Sequence, residues 1–208
     1  MLQDLVILAA DNQMQQTLEG LLERHAALGI RRITSRVFVH PNKDAGCRLE
    51  CAAFLRSFLQ QYQRAIVVFD HEGSGADGES ATALEESIEH ALFRNGWGDR
   101  CRVITIEPEL EIWIWGRSGQ TPAILGWTGS DTDLKDWLIK LGFAFDELGK
   151  PVRPKEALLA VLKKSKTKHE ASLYRKLATK VGFQHCKDRA FTRLRGALTD
   201  WFGNEPKG

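Results

Sequence analysis

The sequence predicts an open α/β fold: a central, mostly parallel sheet of about four strands flanked by helices, followed by a basic helical subdomain. Three observations lead there. Short apolar runs rich in β-branched residues recur at 5–10, 33–39, 65–69 and 101–106. Helical periodicities fill the intervals between them, and parallel strands need such crossovers. The runs at 5–10, 65–69 and 101–106 each end in an acid, namely Asp11, Asp70 and Glu107.

Leu5 to Ala10 is apolar throughout, as a strand covered on both faces should be. Asp11 or Asn12 then offers an N-cap for a helix over 14–25, in which Met14, Leu18, Leu21 and Leu22 share a face. Ile33 to Val39 reads as the second strand, closed by His40-Pro41 and a turn from Asn42 to Gly46. A helix over 47–62 follows, with Ala52, Leu55, Leu59 and Tyr62 turned inward. Lys43 and Asp44 lie in a loop on the same end of the sheet as Asp11, where either could touch a ligand and a solvated turn is the simpler reading.

The third strand, Ala65-Ile66-Val67-Val68-Phe69, runs into Asp70-His71-Glu72 and a loop carrying Gly73, Gly75 and Gly78. That loop lacks the Gly-Lys-Ser/Thr of a P-loop. Ser80 starts a helix whose Leu84, Ile88, Ala91 and Leu92 form one face and which stops at Asn95-Gly96. Cys101 to Ile106 is the fourth strand. Pro108 suits a first helical turn, so Glu109 to Trp115 reads as a helical start; alternation of acids and apolars leaves a fifth strand as the alternative. Residues 117–130 read as a loop anchored by Trp127, and 131–141 as a helix. Pro151 and Pro154 open a last section with helices over 155–165, 170–181 and 188–202. The chain thus divides into an α/β domain at 1–116, a connection at 117–150 and a basic helical subdomain at 151–208.

Charge follows the same division. Residues 1–150 hold 15 Lys and Arg against 22 Asp and Glu, a net of −7, while 151–208 hold 14 against 5, a net of +9. A basic section of this kind fits a nucleic-acid partner or a solvated helical surface equally well. Its candidate phosphate contacts are Lys163, Lys164, Lys166 and Lys168 in one run and Arg189 with Arg193 on the last helix. No apolar run reaches the ~18 residues of a membrane span, and no signal peptide is evident, so a cytoplasmic protein without membrane contact is expected. Cys47, Cys51, Cys101 and Cys186 form no Cys-x-x-Cys pair and read as reduced, buried thiols. Cys47, Cys51 and His40 supply three zinc ligands at most, short of the usual four.

The candidate site is the acidic rim. In open α/β sheets ligands bind outside the carboxyl ends of the strands. Asp11, Asp70 and Glu72, with Glu107, Glu109 and Glu111 after the fourth strand, all belong at that end. At an effective dielectric of about 20, two carboxylates ~5 Å apart repel by about 3 kcal/mol. Several together therefore bind protons or a cation. Mg2+, or Mn2+ in its place, takes oxygen ligands and shares them with substrate phosphate. His71 is placed to act as a base or as a hydrogen-bond partner of the acids.

Taken in order, Ala-Asp-Asn (10–12), His-Pro-x-x-Asp-x-Gly (40–46), Phe-Asp-x-Glu-Gly (69–73) and Pro-Glu-Leu-Glu-Ile-Trp (108–113) resemble Toprim-like proteins of bacterial antiphage systems. Those are the OLD-type and RloB-like proteins, and the motifs are closest to the small Toprim-like component of methylation-associated defence systems. The resemblance covers residues 1–116 and, more loosely, Cys186 to Phe202. It implies a Toprim-like sheet and a Mg2+-dependent nuclease or topoisomerase-primase type of site, often served by an ATPase partner. By position it implies that Asp11 stands for a first-strand Glu, Asp70 and Glu72 for an Asp-x-Asp pair, and Glu109 and Glu111 for later acids. Asp11, Asp70, Glu72 and Glu111 are then the candidate catalytic residues, and Glu107 and Glu109 further metal ligands. Asp11 is one methylene shorter than the usual Glu, and Glu72 replaces an Asp.

Other classes fit less of the chain. A receiver would use Asp70 as phosphoacceptor but needs paired acids after the first strand, where Ala10 precedes Asp11. A phosphatase of the Asp-x-Asp-Gly-Thr kind carries its motif on the first strand, not the third. A non-catalytic subunit gripping nucleic acid or an ATPase is the alternative from outside enzymology.

Overall fold

The computed structural model describes residues 2–76, 78–115, 119–183 and 186–204. Four strands, β1 (Gln3–Ala9), β2 (Ser35–Val39), β3 (Tyr62–Asp70) and β4 (Cys101–Ile106), form one sheet in the order β2-β1-β3-β4. Every pairing is parallel. The two central strands are sealed: Leu5 to Ala9 and Ala65 to Phe69 are completely buried. That is why their sequences are unbroken apolar runs rather than alternating ones.

Helices α1 (Asn12–Glu23) and α2 (His25–Leu28) join β1 to β2, α3 (Lys43–Leu55) joins β2 to β3, and α4 (Ala81–Leu92) joins β3 to β4. The chain steps one way from β1 to β2 and the other way from β3 to β4. Right-handed crossovers therefore put α1 on one face and α3 with α4 on the other. The point where the direction reverses lies between β1 and β3, which places the binding crevice beyond Ala9 and Asp70. The result is a four-strand, all-parallel α/β sheet flanked by helices, consistent with the Toprim-like fold that the motifs imply.

Residues after β4 make a 3₁₀ turn (Leu110–Trp113), then α5 (Thr121–Ile124), α6 (Asp131–Lys140), α7 (Pro154–Ser165), α8 (Ala171–Lys180) and α9 (Arg189–Phe202). Helix α8 packs along α1, and α9 packs against β4 and α2. The apolar core runs without a break from Leu5 to Phe202. The charge change near residue 151 thus marks no break in the core, because the basic helices complete the coat of the sheet. Among the described residues, no helix is long and apolar enough to cross a membrane.

Three expectations from sequence are corrected. The helix expected over 47–62 begins at Lys43 and stops at Leu55. Leu59 and Tyr62 continue the helical spacing by coincidence, and Tyr62 opens β3 with 2% exposure. Glu109 to Trp115 is neither a full helix nor a fifth strand but a single 3₁₀ turn. The segment expected as a loop over 117–130 contains α5 and the Trp127 anchor, whose ring lies 5.0 Å from that of Trp137. Residues 117 and 118 of that stretch, with residue 116 before it, lie outside the described ones.

Strand β4 is a sheet edge, and its free backbone groups are covered by side chains. Glu85 and Glu89 of α4 accept from the N–H groups of Thr105 and Val103, each at 2.8 Å. Arg189 and Arg193 of α9 donate to the carbonyls of the same two residues, at 2.8 and 2.9 Å. The four side chains also pair with each other, Arg189 with Glu85 at 2.8 Å and Arg193 with Glu89 at 2.6 Å. The spacing fits: four residues of helix rise about 6 Å, and two residues of strand about 6.6 Å. This clasp occupies the place of a fifth strand.

Candidate carboxylate site

Five carboxylates gather at the crevice between β1 and β3. Asp70 ends β3, and its Oδ1 is buried with no hydrogen-bond partner among the described residues. Asp11 follows β1 and caps α1, accepting from the Met14 amide at 2.8 Å. Asp44 comes from the start of α3 and accepts from the Asp70 amide at 2.9 Å. Glu109 and Glu111, 5% and 2% exposed, are turned inward by the 3₁₀ turn after β4.

Asp44 owes its place to the turn before it. His40 is buried, and its Nδ1 accepts from the Asn42 amide at 3.1 Å. Its ring lies directly over Gly46, where an added Cβ would come within 2.0 Å of Nδ1. Only glycine lets the ring sit there, and with the ring seated, α3 starts early enough to aim Asp44 at Asp70. The loop beyond Asp70 is held by Arg48, which donates to the Ser74 carbonyl at 2.7 Å. Gly73, with φ of 88°, lets that loop pass beside Asp44.

The charges oppose one another. Burial first, then the charges of Asp44, Glu111, Asp11 and Glu109, raise the Asp70 pKa well above the ordinary carboxylate range. Burial likewise raises Asp44, against the hydrogen bond from the Asp70 amide, and Asp11 adds to the rise. Burial and Glu111 raise Glu109 while Lys155 opposes them. Lys155 is the internal countercharge: its ammonium stands 3.3 Å from Glu109, and its amide donates to the same carboxylate at 3.0 Å. Burial works against the charge of Lys155, but Glu111, Glu109 and Asp70 outweigh it and raise its pKa. Tyr174 of α8 donates to Glu111 at 2.5 Å and meets His169 at 2.9 Å. Burial and the neighbouring Glu111 push the Tyr174 hydroxyl pKa up, so it stays a donor.

Of the acids singled out from sequence, Asp11, Asp70, Glu109 and Glu111 are brought together. Glu72 is not: it is exposed, and its amide donates to the Pro108 carbonyl. Glu107 is also outside, paired with Arg189 at 3.3 Å. His71 turns to the Glu79 carbonyl at 2.7 Å. Arg189 and Arg193, expected to contact phosphate, are instead hydrogen-bonded to Glu85, Glu89 and the carbonyls of β4 in the clasp. Lys163, Lys164, Lys166 and Lys168 are exposed and in no ion pair among the described residues. They run from the end of α7 to His169, and so lead to the Tyr174 side of the site.

Asp44, read from sequence as a solvated turn residue within reach of a ligand, joins the site, and Lys155 and Tyr174 join it without having been singled out. Asp44 carried a signal in the His-Pro-x-x-Asp-x-Gly spacing; Lys155 and Tyr174 carried none, since only packing brings α7 and α8 to the crevice.

The donor set suits a hard divalent cation, being all oxygen, negative and short of partners at Asp70. Among the described residues, no group of three or more His, Cys, Asp or Glu side chains is arranged so that it could hold a metal ion. No protein-family profile, curated protein or solved structure matches the chain.

Proposed function

We propose that the chain is a Mg2+- or Mn2+-dependent, Toprim-type nuclease component of a bacterial antiphage system, acting in the cytoplasm on nucleic acid beside an ATPase partner. The observation that carries this is Asp70: a carboxyl at the switch point of the sheet, with a buried oxygen lacking a partner and four more acids around it. Self-repulsion of this kind is costly in a fold and is relieved by a retained proton or by a bound cation. Asp70, Asp11 and Glu111 would hold the cation, with Asp44 and Glu109 beside them. A bound cation would supply positive charge where charge develops on a phosphodiester.

The chain's own groups supply the rest. Tyr174 fixes one oxygen of Glu111. Lys155 offers a second positive charge for phosphate. The exposed lysines from Lys163 to Lys168 are placed to hold the strand that leads in. Incubation with plasmid DNA and with RNA in Mg2+ or Mn2+ tests the proposal. Cleavage by the native chain, lost in Asp70→Asn, is expected; equal cleavage by both would refute it.

One observation favours a second reading, a non-catalytic nucleic-acid or ATPase-binding subunit. Lys155 and Tyr174 already answer two of the carboxylates from within. In that case the chain binds nucleic acid with a salt-dependent affinity and cuts nothing.

A further inference from the structure

Beside the carboxylate site, and sharing Tyr174 with it, lies a cavity of about 840 Å³ whose other lining residues have no part in the proposed reaction. Its volume is in the range of small-ligand pockets, about 300–1,000 Å³. It opens between α1, α8, the 3₁₀ turn and the start of α9. One wall is apolar and aromatic: Phe191 meets Trp113 edge-to-face and Phe183 at a tilt, with ring centroids 5.4 and 5.3 Å apart, backed by Leu110 and Leu177. The opposite character comes from Lys150, Lys180 and Lys187, which line it together with one acid, Glu147.

Lys150 is the informative residue. It is only 7% exposed, yet its Nζ has no hydrogen-bond partner among the described residues. The nearest carboxylate, Asp188, accepts from the Trp113 indole and the Phe191 amide on Oδ1, at 2.8 and 2.9 Å; its Oδ2 pairs with Lys150 only at 3.9 Å, beyond hydrogen-bond reach. A buried ammonium with three donors and no acceptor is costly unless a ligand supplies one. The guanidinium of Arg24 does not compete for that ligand. It is spent on the Ala178 and Val181 carbonyls and lies 4.3 Å from the Phe183 ring centre.

We infer that this cavity binds a nucleotide, with the phosphate on Lys150 and the rim lysines and the base against the Trp113, Phe183 and Phe191 wall. An anionic head joined to a planar ring is the chemistry that both halves of the lining call for. The site is separate from the proposed nuclease reading and needs no metal, so it is tested in EDTA, where loss of cleavage has no bearing on it.

Each of the four ribonucleoside monophosphates is titrated into the full chain by calorimetry, with ribose 5-phosphate and the free nucleosides as controls. At least one monophosphate is expected to bind one per chain, and its two halves at least about tenfold more weakly. Lys150→Met is expected to weaken binding at least about tenfold, and Lys180→Ala with Lys187→Ala by several-fold, at an unchanged melting temperature for the rim pair. Lys163→Ala with Lys164→Ala should leave it unchanged. Competition by a 5′-phosphorylated trinucleotide would assign the pocket to a strand end, and its failure to compete to a free nucleotide. No binding by any monophosphate, equal binding of ribose 5-phosphate, or undiminished binding in the rim pair would overturn the inference.

Discussion

Asp70 and Gly46 show how single residues set the site. In the folded chain Asp70 binds its proton more tightly than in the unfolded one, because of burial and then Asp44, Glu111, Asp11 and Glu109. Below the ordinary carboxylate range both states hold the proton and the residue has no effect on stability. As pH rises from there through the raised folded value, the unfolded chain releases its proton first and stability falls. Every pH unit that separates the folded from the unfolded value is worth about 1.4 kcal/mol. Asp70→Asn, neutral throughout, should therefore melt several degrees above the native chain in EDTA at about pH 8, with the gap closing towards about pH 4. Calorimetric melts across that range check it. Gly46 gives the opposite sign to expectation for a helix. Gly→Ala inside a helix ordinarily gains about 1 kcal/mol, but here the Cβ would strike the buried His40 ring. Gly46→Ala should lose about 1–3 kcal/mol, read from urea midpoints.

At the scale of elements, the clasp on β4 is a closed set of four charged side chains and four backbone groups. Glu85 is 1% exposed, so its loss strands the Thr105 amide and the guanidinium of Arg189. Glu85→Ala should cost about 1–3 kcal/mol, as leaving a buried amide without its acceptor does. Arg189 is part-exposed, so Arg189→Ala should cost less, and the double variant should cost clearly less than the two together. A double-mutant cycle by chemical denaturation measures this. Much at this scale was legible from sequence. The central strands announce themselves because burial on both faces demands apolar runs, and Cys101–Ile106 is found where the sequence puts it. The clasp was not legible, since Arg189 and Glu85 are 104 residues apart and each looks like an ordinary helix surface charge. Nor was the end of α3, because Tyr62 fits a helical face as well as the first position of a strand.

Across the whole molecule, an acidic sheet portion and a basic helical portion share one core and meet at one site. Asp11, Asp44, Asp70, Glu109 and Glu111 come from the first, and Lys155 and Tyr174 from the second. Strand-end acids could be read in advance because the topology of parallel sheets fixes where they go. Their partners could not, since α7 and α8 reach the crevice only through packing on α1 and the 3₁₀ turn. Central to the proposed function is that this gathering of acids takes up a divalent cation through Asp70. Free Mn2+ followed by electron paramagnetic resonance, during titration into the native chain and Asp70→Asn, tests it most directly. Saturable uptake by the native chain is expected, with affinity at least about tenfold lower in the variant. No uptake by the native chain, or the same uptake by both, would contradict it.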